Sequence, residues 1–309
     1  MRKTASWPTT TSERPVRPLS PRETALQRLF EDLHATYHRP AFLPGDPLLF
    51  AHRYSEPRDA EVAALTAAAF ASGNITSIQR FLEGFLGVLG PRPADWLAER
   101  QPGELCGAFG SLGHRWVRPA DLEVFAALLG GTLRRHGSLS ALWRKCDARP
   151  AEEPTVLPVL GRFVEAILSE RVAPLAPRTR ERPRPDGTMS VLPPAVSILL
   201  THPAGGSACK RMNLFLRWMV RPADGIDLGL WTAHTDPARL VLPVDVHVLR
   251  ICRKLRLTRR PQPDLKTAEG LTARFRRLSP SDPCRYDFAM VRAGVDGIAL
   301  NPPRGTASP

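Results

Sequence analysis

The sequence predicts an all-α fold. Apolar residues recur at helical spacing through most of the chain, and no alternating apolar and polar run longer than four residues marks a strand. With 43% hydrophobic residues over 309 positions, the chain can bury a real core, as one large domain or as two lobes.

The elements follow in order. Residues 1–22 are rich in Ser, Thr, Pro and Arg and are expected to form a disordered basic tail. The helical pattern begins at Glu23, with Leu26, Leu29, Phe30 and Leu33 on one face. Tyr54-Ser55-Glu56-Pro57-Arg58-Asp59 reads as a loop that starts a helix, with Asp59 near the N-cap and Glu61 in the first turn. That helix carries Val62, Leu65 and Ala69 and is broken by Gly73-Asn74. A further helix holds Ile75, Ile78, Phe81, Leu82 and Phe85. Helical stretches follow over residues 121–136, 139–143 and 158–171, and the proline- and arginine-rich residues 172–194 read as a flexible loop. Residues 208–220 are amphipathic: Met212, Phe215, Leu216 and Met219 form the buried stripe, with Lys210, Asn213 and Arg217 on another face. Residues 245–255 form the next helix, with Val248, Ile251 and Leu255 inward, and residues 286–295 the last.

The formal net charge is +13 and the pI about 10.5, which points to a polyanionic partner, nucleic acid first. A general bias toward arginine, alanine and proline is the competing explanation. The five cysteines, Cys106, Cys146, Cys209, Cys252 and Cys284, are far apart and form no CxxC pair. That argues against a structural zinc or a disulfide framework, and free thiols suit a cytoplasmic protein. No apolar run approaches the roughly 20 residues of a membrane span. The N-terminus lacks the apolar core of a secretory signal.

Only Lys3, Lys145, Lys210, Lys254 and Lys266 are lysines, so each stands out against the arginines. Lys210 follows the turn Gly205-Gly206-Ser207 at the start of a helix, and Asp245 opens another helix in Pro243-Val244-Asp245-Val246-His247. A free lysine amine is protonated near neutral pH, with a pKa of about 10.4. The positive end of a helix, the neighbouring Arg211 and burial in a cleft would each lower that value and so favour a nucleophile. Asp245 can accept the lysine proton or stabilise a positive sugar as a glycosidic bond breaks. The plainer reading makes Asp245 an N-cap and Lys210 a phosphate contact; capping with one oxygen leaves the other free, so both readings of Asp245 can hold. Gly205 and Gly206 allow close approach of backbone amides to phosphate, with Ser207 beside them. His247 either contacts phosphate or caps its helix, and Gly73-Asn74 reads on local grounds as an ordinary helix break.

These residues resemble the helix-hairpin-helix DNA glycosylase superfamily, in which a hairpin ending in a lysine precedes a Pro-Val-Asp-Val-His segment. The wider pattern looks closer to a bacterial family related to the archaeal 8-oxoguanine glycosylases. It is carried by Tyr54 to Asp59, by GGSACKRMNLFLRWMVR at 205–221, by IDLGLW at 226–231 and by DPCRYDFA at 282–289, and spans about residues 25–300. The hairpin reads His202-Pro203-Ala204-Gly205-Gly206 in place of Leu-Pro-Gly-x-Gly. The longer spacing from Lys210 to Asp245 implies an inserted turn around residues 224–235.

The resemblance implies a two-lobed helical fold over residues 23–305. One lobe, with the hairpin, is expected at about 70–225, and the second from 23–69 with 226–305. It makes Lys210 a Schiff-base nucleophile and Asp245 its catalytic partner. Asn74 becomes part of a turn that fills the gap left by a flipped base. On local pattern Gly205, Gly206, Ser207, Arg211 and His247 are the expected DNA contacts, with the arginine-rich stretch 178–184 the next candidate should the hairpin not be the anchor. The implied activity is base-excision repair of an oxidised purine such as 8-oxoguanine, with β-elimination, on duplex DNA, by a monomer without metal or cofactor. The alternative is a non-catalytic DNA-binding protein that keeps the fold.

Overall fold

The computed structural model describes residues 17–148, 150–175, 182–183, 189–190, 192–298 and 300. Most of the N-terminal tail and most of the stretch 178–184 lie outside these. Among the described residues the fold is all-α, with twelve α-helices. β pairing is confined to a two-residue ladder, Arg182–Pro183 with Met189–Ser190, and to two isolated bridges.

The first helix, α1 (Pro21–Tyr37), begins two residues before the expected start at Glu23. Ser20 explains the difference: its hydroxyl accepts from the Glu23 amide while the Glu23 carboxylate accepts from the Ser20 amide, a reciprocal cap. Leu26, Phe30 and Leu33 are buried, and Phe30 stacks on Tyr286 and packs against Phe275. Two 3-10 turns, Pro40–Gly45 and Pro47–Arg53, lead to α2 (Pro57–Ala69). Glu56 is the N-cap residue of α2, with Asp59 near it in the first turn, as expected, and Glu61 beyond that turn. Asp59 accepts from the Ala94 amide, and Glu61 is buried, where it takes the amides of Leu139 and Ser140 and the indole of Trp231. α2 is buried on all sides from Asp59 onward. Its alanines let α3 (Ile75–Leu89), α4 (Pro93–Glu99), α6 (Leu139–Cys146) and α9 (Lys210–Val220) come close.

α5 (Pro119–His136) packs against α4, α6, α7 (Leu157–Leu168) and α8 (Pro194–Leu199). On the other side of the molecule α1 packs on α11 (Leu265–Leu278) and α12 (Asp287–Val295), and α12 on α10 (Val246–Lys254). Neither the short α4 and α8 nor α11 was expected from periodicity. Residues 158–171, expected to be helical throughout, leave the helix after Leu168.

α9 departs from the amphipathic expectation. Asn213 and Arg217, assigned to a polar face, are as buried as the apolar stripe. Arg217 donates to Asp227 at 3.2 Å and to Asp287 at 2.6 Å. Arg221 meets Asp227, Asp224 and Asp282, and Asp224 in turn meets His38. This buried ionic network draws together the segments 205–221, 226–231 and 282–289. The inserted residues 224–235 fold back on α9, where the amides of Leu228, Gly229 and Trp231 bond to the carbonyls of Trp218 and Met219. Gly229 has a φ of 67°, and a Cβ there would run into the Ala223 backbone nitrogen, so only glycine fits.

Candidate active site

Lys210 is the first residue of α9 and is preceded by Cys209 in the left-handed region, at φ 48°. Its ammonium donates to the Ala71 carbonyl at 3.0 Å, just past the end of α2. It stands 3.8 Å from Asp245 Oδ2. Asp245 is the N-cap of α10: its Oδ1 accepts from the amides of His247 and Val248, both at 2.9 Å. Capping therefore fixes one carboxylate oxygen and leaves the other toward the lysine, so the two helix starts meet across the chain.

The pair lies in a cleft of about 810 Å³. Its walls come from the 3-10 turns at 45–47, the α2–α3 break, α9, the start of α10 and α12. Burial is the largest influence on Lys210 and lowers its pKa; Asp245, Asp287 and Asp46 oppose it, and Arg211 adds a smaller lowering. The side chain keeps 27% of its surface open to the cleft, so water there moderates the shift. Burial raises the neighbouring Cys209 thiol to about 12, so its thiolate is scarce near neutral pH.

Sequence reasoning missed two carboxylates of this cleft. Asp287 is buried, paired with Arg217 through Oδ2, and its Oδ1 has no hydrogen-bond partner. Burial raises its pKa, with Arg217 opposing. Asp46 caps the second 3-10 turn and pairs with Arg292. Asp287 lies within the quoted segment 282–289, but only the fold brings it to Lys210.

The expected binding residues separate into groups. Ser207, Arg211 and His247 line the cleft with Lys210 and Asp245. Arg211 is half-buried and donates to the Ile198 carbonyl at 2.9 Å, which ties α9 to the end of α8. His247 is exposed. Gly205 and Gly206 are exposed outside the cleft lining. Their amides, expected to face phosphate, turn inward: Gly205 N donates to His202 and Gly206 N to Pro203. That closes a 3-10 turn over Pro203–Gly205. Asn74 caps α3 through Oδ1, while its neighbours Gly73 and Ile75 line the cleft.

A family model described as "Protein of unknown function (DUF2400)" matches residues 46–296. The chain belongs to that family. No curated protein and no solved structure matches it. The span matched by DUF2400 contains Lys210, Asp245, Asp287 and the other residues that line the cleft, except Gly45. It also contains the whole ionic network except His38. Among the described residues of this DUF2400 chain, no helix is long and apolar enough to cross a membrane.

Proposed function

We propose that the chain is a DNA glycosylase with an associated β-elimination activity, acting on an oxidised purine such as 8-oxoguanine. The observation that carries this reading is the lysine–carboxylate pair: an amine of lowered pKa, 3.8 Å from a carboxylate that a helix start holds in place. A lone phosphate-binding lysine needs no such partner, whereas covalent catalysis by an amine needs the proton removed and the developing cation stabilised. The resemblance in the hairpin and in the segments 226–231 and 282–289 supports the same reading. So does the cleft, large enough for a nucleotide turned out of a duplex. In this reading the fold has the two lobes of a helix-hairpin-helix glycosylase, with α8, the turn Pro203–Gly205 and α9 as the hairpin.

Lys210 passes a proton to Asp245 and its neutral Nζ attacks the sugar C1′. The N–C1′ bond forms as the glycosidic bond breaks, and the base leaves with the bonding pair and takes up a proton. The sugar ring then opens at C1′–O4′, with a proton moving from Nζ to O4′, to give an iminium. Loss of a C2′ proton expels the 3′ phosphate and nicks the strand; water then releases the lysine.

Borohydride reduces such an iminium to a stable amine. Incubation with duplexes carrying 8-oxoguanine or an abasic site, followed by borohydride, is expected to give a protein–DNA band in the native chain and none in Lys210→Gln. A band that persists in that variant would remove Lys210 from the role. DNA binding with no trapped species on any damaged duplex would favour the non-catalytic DNA-binding protein.

A further inference from the structure

α10 carries a second feature on the side away from Lys210. Between Asp245 and Asp264 the chain has no acidic residue, but it has Arg250, Arg253, Lys254, Arg256, Arg259 and Arg260. Arg260 is taken up by Asp264 and Thr267. Arg250, Arg253, Lys254 and Arg259 are exposed, and among the described residues none of these four meets a carboxylate. All four line one groove of about 590 Å³. Val246 lines both this groove and the Lys210 cleft, so the two adjoin.

Several arginines elsewhere in the molecule are paired instead. Arg53, Arg135, Arg162, Arg277 and Arg285 are each neutralised by a glutamate at 3.0 Å or less. The negative end of α10 explains Arg253 and Lys254, which sit in its last turn. It does not explain Arg250 in the middle of the helix or Arg259 beyond it. Arg250, Arg253 and Lys254 follow i, i+3, i+4 spacing and so share a face. Like charges held together without counter-charges repel one another unless a polyanion covers them.

We propose that this groove binds the sugar-phosphate backbone of the DNA duplex whose target nucleotide occupies the cleft. The proposal rests on the reading above for the occupant of the cleft. The groove extends the contact beyond the hairpin, whose glycine amides face inward, and it is built on the helix that Asp245 caps. Each phosphate neutralised there releases counterions and adds about −0.9 to the slope of log K against log salt.

The test compares two matched variants, Arg250→Gln with Arg253→Gln and Arg144→Gln with Lys145→Gln. The second pair lies exposed on α6, so both variants lose the same charge. Binding of a duplex with a tetrahydrofuran abasic analogue is measured from low to physiological salt, and borohydride trapping on a true abasic duplex is run in parallel. The groove variant is expected to lose affinity roughly tenfold and to flatten the slope by about 0.9 for each charge removed, with the α6 variant near the native chain. Equal losses in both variants, or native affinity in the groove variant, would overturn the groove. Trapping that persists at saturating protein would then leave the glycosylase reading standing. A groove-dependent affinity without any trapped species would keep the groove and remove the glycosylase.

Discussion

Asp245 separates structure from chemistry at a single atom pair. Its Oδ1 holds the first turn of α10, while Oδ2 faces Lys210. Asparagine retains the capping oxygen, so Asp245→Asn is expected to unfold at close to the native temperature. It cannot take the lysine proton or offset a sugar cation, so single-turnover base release is expected to fall on the order of 10²-fold. Native turnover in this variant would make Asp245 a cap and nothing more. The lowered pKa of Lys210 fixes the sign of the pH dependence. In the proposed reaction the neutral amine attacks, so single-turnover rates should rise with pH and level off below the ordinary lysine value of about 10.4. A rate that keeps climbing through that value would show that burial does not activate the amine. Lys210 and Asp245 were legible in the sequence because helix-start chemistry is local. Asp287, Asp46 and the Ala71 carbonyl were not, because no local rule places a residue 77 positions from Lys210, or one on the preceding 3-10 turns, beside its amine.

At the scale of elements, legibility followed how far each helix departs from a two-sided surface helix. α3 has an apolar stripe and a helix break before it, and the structure places Ile78, Phe81, Leu82 and Phe85 inward as expected. α10 likewise buries Val248 and Ile251. α9 misled because Arg217 is buried against carboxylates and Asn213 against the Ala208 carbonyl, partners that helical periodicity cannot see. α2 hid its role differently: with burial all round, Glu61 looks like a first-turn acid but caps α6 and holds Trp231. α11 carried its own signals, an Asp264 N-cap and Leu271, Phe275 and Leu278 at helical spacing, beneath a dense run of basic residues. The short α8 lies just beyond a proline-rich stretch and earns its place through packing on α5 rather than through propensity.

For the whole molecule, the ionic network links α9 to α12 and to the inserted loop, and so fixes two of the walls of the cleft relative to each other. Arg217 is its centre: its side chain is 2% exposed and it joins Asp227 to Asp287. Burying charges is costly, and such a network is weak evidence for stability as long as every member is present. Removal of one member is a different matter. Arg217→Met would leave the Asp287 carboxylate buried without its cation, whereas Asp227 would keep Arg221. The expected cost is about 3–5 kcal/mol, a fall in the unfolding temperature on the order of ten degrees. Asp287→Asn added to Arg217→Met removes the stranded charge and should recover a large part of that loss. Recovery in the double variant would assign the penalty to the unpaired carboxylate. Equal instability in the two variants would assign it to lost packing of the Arg217 stem against Phe288, 5.8 Å from the guanidinium. A single variant that unfolds at the native temperature would show that α9 and α12 are held together by their apolar contacts alone.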